Sequence, residues 1–212
     1  MARFVVFSLR FLVLIGIAFA VRPAQAAPLD LKVALSERSL GNADAPLTIE
    51  EFLSLDCPHC ADFHDTVFPQ IKKDYIDTGK VRLVVNDFPL DDLALHAHML
   101  ARCVPPSHYF GMVGALFETQ SQWRMSAPAE ADADMIKIAQ LSGLTETEAK
   151  DCLANDALKT AIMAARTLAH EQHNVNGTPT FLIGETRVPG ALPYEDFKDL
   201  IDEALARKAG GK

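Results

Sequence analysis

The sequence has little cysteine and little positive charge for its length. Four cysteines in 212 residues exclude the disulfide-dense scaffold of small secreted proteins, and a chain of this length can bury a core without such crosslinks. Lys and Arg number 20 against 28 Asp and Glu, so neither a nucleic acid nor an anionic lipid surface is an expected partner. Internal repeats and low-complexity tracts are also lacking, and the 49% hydrophobic content is typical of a globular protein.

We predict that residues 1–26 are a secretory signal peptide. Arg3 and Arg10 precede an uncharged apolar run over residues 11–21, and Ala-Gln-Ala at residues 24–26 is a small-residue cleavage site. The alternative is a retained membrane anchor, which we do not favour because the apolar run is too short to span the hydrocarbon core. Cleavage after Ala26 would release a soluble, exported protein into a compartment where disulfides can form and persist.

Hydrophobic patterning predicts an α/β fold interrupted by a block of helices. Residues 47–53 and 81–85 have the composition of buried strands, and residues 58–78 between them repeat apolar side chains at helical spacing. Two strands joined through a helix are expected to be parallel. Further helices are predicted at 91–103, 106–118, 129–141, 145–153, 156–174 and 194–208, and a hairpin at 180–183 and 186–188. This order of elements predicts one α/β domain with a helical insertion.

The sequence Cys57-Pro58-His59-Cys60 lies where the first predicted strand gives way to a helix. Proline suits the first helical position, which places Cys57 at the helix cap beside unpaired N–H groups and the positive end of the helix dipole. This position and the neighbouring His59 should lower the pKa of the Cys57 thiol and favour the reactive thiolate. Cys60 follows one turn later, within reach of a disulfide. The pattern predicts a redox-active pair, with a structural disulfide and half of a metal site as the alternatives.

Three segments resemble the DsbA family of thiol–disulfide oxidoreductases. Residues 51–60, Glu-Phe-Leu-Ser-Leu-Asp-Cys-Pro-His-Cys, are similar to the active-site strand and helix of that family. Residues 177–181, Gly-Thr-Pro-Thr-Phe, resemble its cis-proline loop, and residues 190–197, Gly-Ala-Leu-Pro-Tyr-Glu-Asp-Phe, resemble the start of its last helix. The resemblance covers roughly residues 45–208 and implies a thioredoxin fold with an inserted all-helical domain.

The resemblance also implies how the chain is divided. We expect residues 27–44 to form an N-terminal segment, and residues 45–90 together with 175–208 to form a split thioredoxin-like domain. Residues 91–174 would then be the helical insertion domain. The thioredoxin-like domain would thereby be assembled from two distant parts of the chain.

By the same resemblance, the protein is expected to be a periplasmic oxidase that introduces disulfide bonds into exported proteins. Cys57 would be the nucleophile and Cys60 the resolving thiol, with Pro58 and His59 setting the redox properties. The expected partners are reduced or unfolded exported proteins and a DsbB-like, quinone-linked membrane reoxidase, with no cofactor, no metal and a monomeric state. The alternatives are a disulfide isomerase or reductase of the same fold, and a module that binds copper or zinc through the two thiols.

Residues outside the cysteine motif complete the expected site. Glu51 matches the buried acid that assists proton transfer at the inner cysteine, and an acid within an apolar strand is independently expected to exchange protons near neutral pH. Because neighbouring strand residues face opposite sides, the alternative is that Glu50 points inward. Thr178 and a cis Pro179 would bind an extended substrate segment. Thr178 and the acidic Asp56 depart from the best-known oxidases, which leaves the strength of oxidation open.

A second pair of cysteines lies in the predicted helical block. In an oxidising compartment Cys103 and Cys152 are expected to form a structural disulfide, and some DsbA-like proteins, notably from α-proteobacteria, have a second bridge in this region. The alternative is two buried free thiols. His59 and His64, beside the cysteine motif, do not complete a metal site with it, and the pairs at positions 96 and 98 and at 170 and 173 do not have the spacing of one. Trp123, in a stretch interpreted as helix-breaking, is expected to serve packing.

Overall fold

Five strands form one mixed sheet in the order β1-β3-β2-β4-β5. The computed structural model describes Met1 and residues 29–210, so the predicted signal peptide lies outside the described residues except for Met1. The strands are β1 (Arg38–Leu40), β2 (Leu47–Leu53), β3 (Val81–Asp87), β4 (Thr180–Ile183) and β5 (Thr186–Pro189). β2 and β3 are parallel, as predicted, whereas β1, β4 and β5 each pair with their neighbours in antiparallel orientation.

Helices occupy most of the chain between the two groups of strands. The helices are α1 (Leu31–Ala34), α2 (Pro58–Thr66), α3 (Phe68–Ile71), α4 (Asp92–Cys103), α5 (Tyr109–Glu118), α6 (Gln120–Arg124), α7 (Pro128–Leu141), α8 (Glu146–Leu153), α9 (Asp156–His173) and α10 (Tyr194–Ala209). A π-helical turn (Lys72–Ile76) continues α3, and a 3-10 turn (Pro106–His108) precedes α5. Among the described residues, no helix combines the length and the apolar character that crossing a membrane requires.

An aromatic cluster fixes α2 and α10 on one face of the sheet. Phe63 of α2 lies 4.7 Å from Phe181 of β4 and 5.4 Å from Phe197 of α10, measured between ring centroids. All three rings are almost completely buried, and each buried aromatic side chain contributes a large apolar area to the core. The cluster therefore holds α2, at whose start the cysteine pair lies, against the sheet.

The prediction of one continuous helix over residues 58–78 is wrong. α2 ends at Thr66, the chain bends at Val67, and α3 begins one residue before Pro69. Proline has no N–H to donate to the preceding turn and its ring crowds that turn, so the helix cannot pass through this point unbroken. The following segment winds into the π-helical turn before β3 begins.

Three further differences concern short or extended elements. β1 was not expected, and β3 runs two residues beyond its predicted end, to Asp87. The stretch around Trp123 was interpreted as helix-breaking, but it forms the short helix α6. Trp123 is fully buried there, and its indole N–H donates to the carbonyl of Leu116 at 2.9 Å. This side chain packs in the core.

A disulfide joins two helices of the central block. Cys103, the last residue of α4, is bonded to Cys152 of α8, with a Cα–Cα distance of 6.3 Å. Both helices also pack against α7. The bridge thus links parts of the chain that are 49 residues apart in sequence.

Candidate active site

The cysteine pair lies at the start of α2. Cys57 caps the helix with extended backbone angles, and Pro58 takes the first helical position. Cys60 lies one turn further along. Both are free thiols in the structure; Cys60 is completely buried, whereas Cys57 retains 5% of its surface and lies beside the exposed Pro58 and His59. The geometry provides an outer thiol that a reactant can reach and an inner thiol that it cannot.

The environment of Cys57 favours its thiolate. The largest contribution is a hydrogen bond from the Cys60 thiol, and further bonds come from the Thr178 side chain and from the backbone N–H groups of Cys60 and His59 at the start of α2. Burial opposes ionisation but is outweighed, so the pKa of Cys57 falls from 9.0 to about 5. A thiol with this pKa is ionised at neutral pH, and the thiolate is the form that attacks and leaves in disulfide exchange.

The environment of Cys60 has the opposite effect. Burial raises the pKa of this thiol well above its usual value, and the neighbouring Cys57 and the charge of Glu51 raise it further. Cys60 therefore carries its proton at neutral pH in the reduced state. The two thiols differ in their preferred charge because Cys57 accepts hydrogen bonds, above all from Cys60, whereas Cys60 is buried in the core.

A buried carboxylate lies beneath the pair. Glu51 of β2 is completely buried, whereas Glu50 is partly exposed and accepts a hydrogen bond from Asn86. Glu51 therefore faces inward, and the alternative orientation with Glu50 inside is excluded. The Nε2 atom of His64 lies 2.9 Å and 3.2 Å from the two carboxylate oxygens of Glu51.

Sequence reasoning missed His64 as a residue of this site, because it considered His64 only as a metal ligand. Its position was a usable signal: His64 follows Cys60 by four residues in the same helix, so the two share a helix face. That face is directed at β2, where Glu51 lies.

The loop before β4 lies against the outer thiol. The Thr178–Pro179 peptide bond is cis, and Cys57 Sγ is 3.3 Å from the carbonyl oxygen of Thr178, to which the neutral thiol donates. The Thr178 hydroxyl is buried and has no hydrogen-bond partner among the described residues. This hydroxyl can donate to the Cys57 sulfur when the thiol ionises, which agrees with the contribution of the Thr178 side chain to the lowered pKa of Cys57.

Two side chains of the helical block hold the loop that precedes α2. The Gln120 amide donates to the carbonyls of Leu55 and Cys57 at 2.8 Å and 3.1 Å, and the Leu55 N–H donates to His98 Nε2 at 3.3 Å. His98 in turn bonds Asp87 through Nδ1 at 2.9 Å, so Nδ1 carries the proton and Nε2 is the acceptor. Neither contact had a signal in the sequence, because each joins residues more than 40 positions apart.

Asp56, the acid next to the nucleophile, is engaged elsewhere. Its carboxylate accepts a hydrogen bond of 2.6 Å from the Ser54 hydroxyl. Burial, together with a hydrogen bond and charge repulsion from Asp91, raises the pKa of Asp56. A raised pKa reduces the negative charge beside Cys57, so Asp56 opposes the thiolate less than its position in the sequence suggests.

The other histidines make pairwise contacts. His96 Nδ1 lies 2.8 Å from Asp132 on the surface, and His170 Nδ1 lies 3.0 Å from the carbonyl oxygen of Val175. Among the described residues, no group of three or more His, Cys, Asp or Glu side chains is arranged to hold a metal ion.

Comparison with known proteins agrees with this geometry. The family model described as Thioredoxin matches residues 34–203. A protein of Rickettsia conorii, provisionally named a protein-disulfide oxidoreductase, is 31% identical over 182 residues. The match covers 85% of this chain but 65% of the relative, so the chain spans less than two thirds of that protein's length.

Two solved structures have the same fold. The crystal structure of Wolbachia pipientis alpha-DsbA1 matches with a TM-score of 0.77 and 28% identity, covering 84% of this chain and 94% of that one. A structure described as a protein-disulfide isomerase from Novosphingobium aromaticivorans matches with a TM-score of 0.71 and 26% identity, covering 80% and 97%. These similarities confirm the expected fold class, a thioredoxin fold with inserted helices.

Proposed function

The chain belongs to the thioredoxin family and is DsbA-like, and on that premise we propose that it is a protein thiol–disulfide oxidoreductase that introduces disulfide bonds into exported proteins. The observation that carries the proposal is the difference between the two thiols. Cys57 is held as a thiolate with a pKa of about 5, whereas the pKa of the buried Cys60 is raised. Stabilising one thiolate stabilises the reduced pair, which makes the Cys57–Cys60 disulfide an oxidant.

In the proposed reaction a substrate thiolate attacks the outer sulfur, Cys57. The Cys57–Cys60 bond breaks, Cys60 leaves with the electron pair and takes up a proton, and the substrate is held as a mixed disulfide on Cys57. A second substrate thiolate then attacks the substrate sulfur of that bond. Cys57 leaves as a thiolate, which its surroundings stabilise, and the substrate departs with a new disulfide.

The cis-proline loop supports the binding of an extended substrate. The Thr178 carbonyl lies beside Cys57 Sγ, and the backbone at this position lies next to the first residue of β4. An extended segment could pair with that backbone while its cysteine reaches Cys57. We assign substrate binding to Thr178 and Pro179 on this arrangement.

The test is oxidative refolding of a reduced protein with several cysteines. The purified chain, oxidised at Cys57–Cys60, should accelerate recovery of substrate activity, and the Cys57→Ser variant should not. A double Cys103→Ser/Cys152→Ser variant is the matched control, because it removes the other pair and leaves the proposed nucleophile in place. Equal acceleration by wild type and Cys57→Ser would refute the proposal.

A disulfide isomerase or reductase is the second candidate. Thr178 before the cis proline departs from the best-known oxidases, and one similar structure carries the description of a protein-disulfide isomerase. The direction of exchange depends on the reduction potential of the pair. Equilibrating the protein with glutathione measures that potential: an oxidising value supports the oxidase, and a strongly reducing value supports the second candidate.

The proposed location and partners follow from the oxidase function. We propose that residues 1–26 direct export to the periplasm, that the protein acts as a monomer, and that a DsbB-like, quinone-linked membrane protein reoxidises it. The N-terminal sequence of protein purified from the periplasm tests the first point, since cleavage after Ala26 leaves Ala27 as the first residue.

A further inference from the structure

Two groups that must exchange protons have no contact with solvent. Cys60 and Glu51 are both completely buried. In the proposed function, Cys60 takes up a proton each time its disulfide is opened and gives one up each time the disulfide forms again. Because a buried thiolate is costly without compensation, this proton must reach Cys60 through neighbouring groups.

His64 connects this interior to the surface. Its Nε2 lies within hydrogen-bond distance of both oxygens of Glu51. The same side chain is 9% exposed and lines an open cleft of about 800 Å³ between α2 and α5. One side chain therefore contacts both the buried carboxylate and a space that water can enter.

The imidazole ring is held in place by aromatic neighbours. The centroid of the His64 ring lies 4.7 Å from that of Phe117 of α5, 4.9 Å from that of Phe68 of α3 and 5.5 Å from that of Phe63. The contact with Phe63 is edge-to-face. Such packing restricts ring rotation, and so keeps Nε2 directed at Glu51. The charged residues that line the same cleft are Asp62, Asp65, Lys72 and Glu118.

We propose that His64 is a positioning residue that relays protons between water in the cleft and Glu51, and through Glu51 serves Cys60. This inference rests on the proposed function. When a substrate thiolate opens the disulfide, Cys60 leaves as a thiolate and takes the proton of Glu51. The Glu51 carboxylate is reprotonated by His64, and His64 is reprotonated from the cleft.

The reverse step uses the same path. Cys60 gives its proton to Glu51 and attacks Cys57 Sγ of a mixed disulfide, which restores the Cys57–Cys60 bond and releases the substrate thiolate. The proton passes from Glu51 to His64 and out to the cleft. No electrons beyond those of the exchanging sulfurs are required.

The experiment is single-turnover reaction of the oxidised protein with glutathione, stopped by acid and followed by mass spectrometry of the mixed disulfide. His64→Phe keeps a ring between the aromatic neighbours and removes both nitrogens, and His64→Ala leaves space for added imidazole. We expect both variants to react at least about tenfold more slowly at pH 7, a modest share of what a positioned acid or base contributes. Added imidazole should restore part of the rate of His64→Ala and should leave wild type unchanged.

Three controls separate the possible causes of a slower rate. His96→Gln removes a surface histidine and should react like wild type. Alkylation of Cys57 in the reduced variants should keep the pH dependence of wild type, since His64 is not among the groups that lower the Cys57 pKa. His64→Gln, which retains a polar contact to Glu51, replaces either variant that fails to fold by circular dichroism.

The outcomes distinguish this inference from the proposed function. Absence of any exchange in wild type would refute the proposed function itself. Exchange in wild type with equal rates in the folded His64 variants, or a slower rate that imidazole does not improve, would refute only the relay.

Discussion

The low pKa of Cys57 has a measurable effect on the stability of the reduced protein. In the unfolded chain the thiol titrates near 9, whereas in the folded, reduced protein it titrates near 5. The folded state therefore binds fewer protons between these values, and ionisation of Cys57 stabilises it as pH rises through this window. At pH 7 the contribution is about 3 kcal/mol, and it is lost as pH falls through the folded value.

The perturbation that isolates this contribution is Cys57→Ala. We expect the variant to lower the free energy of unfolding of the reduced protein by about 3 kcal/mol more at pH 7 than at pH 4. Carboxylates such as Asp87 also titrate in acid, but they do so in both proteins and cancel in the difference. Stabilising the Cys57 thiolate by about 3 kcal/mol makes the reduction potential of the pair about 60 mV more oxidising than that of a pair with an unshifted thiol pKa.

The assay is urea unfolding of both proteins, fully reduced, at several pH values from 4 to 8. The slopes of the unfolding curves must agree between the two proteins, so that a change in midpoint reports stability alone. If the stability difference between wild type and Cys57→Ala stays constant across this range, Cys57 is not held as a thiolate. The Cys57–Cys60 disulfide would then lack the thiolate stabilisation that makes it oxidising.

Three further predictions concern groups outside the cysteine pair. The Cys103→Ser/Cys152→Ser variant should lose up to about 4 kcal/mol of stability, from the 49-residue loop that the bridge closes, and should melt earlier while disulfide exchange persists; an unchanged melting temperature would contradict this. Asp87→Asn should destabilise the protein by about 3–5 kcal/mol in urea, because it leaves the buried Arg102 without its charge partner at 2.7 Å; a loss below 1 kcal/mol would be evidence against the pairing. Gln120→Leu should lower the free energy of unfolding by about 1–3 kcal/mol and slow disulfide exchange at Cys57, because two loop carbonyls lose their donor. Unchanged exchange kinetics would show that this contact does not affect the reactivity of the loop.

The elements that sequence reasoning located well are those with a strong local signal. The helix predicted at 156–174 is observed at Asp156–His173, because a long apolar stripe lies between an Asn cap and a left-handed Asn174. The cysteine motif was placed correctly at a helix start, since proline marks the first helical position. These features depend on neighbours in sequence.

The features that were missed depend on distant contacts. β1 has three residues, too few for a strand pattern, and it forms because Arg38–Leu40 pairs with the edge of β3. His64 belongs to the site because α2 lies over β2, which brings it to Glu51, 13 residues earlier in the chain. Gln120 was unremarkable as a sequence position, and its role appears only when α6 is packed beneath the loop. Tertiary packing determines such contacts, and the hydrophobic periodicity of the sequence carries no information about them.

The contacts of Gln120 and His98 limit how far this protein can be made smaller. A minimal version that joined β3 directly to β4 would retain the cysteine motif and delete every helix from α4 to α9. The Leu55 N–H and the carbonyls of Leu55 and Cys57 would then lose the partners that now satisfy them. Since each unsatisfied buried group costs about 1–3 kcal/mol, the reactive loop would rearrange toward water, and a shortened chain with the same motif would be a poor substitute in engineering.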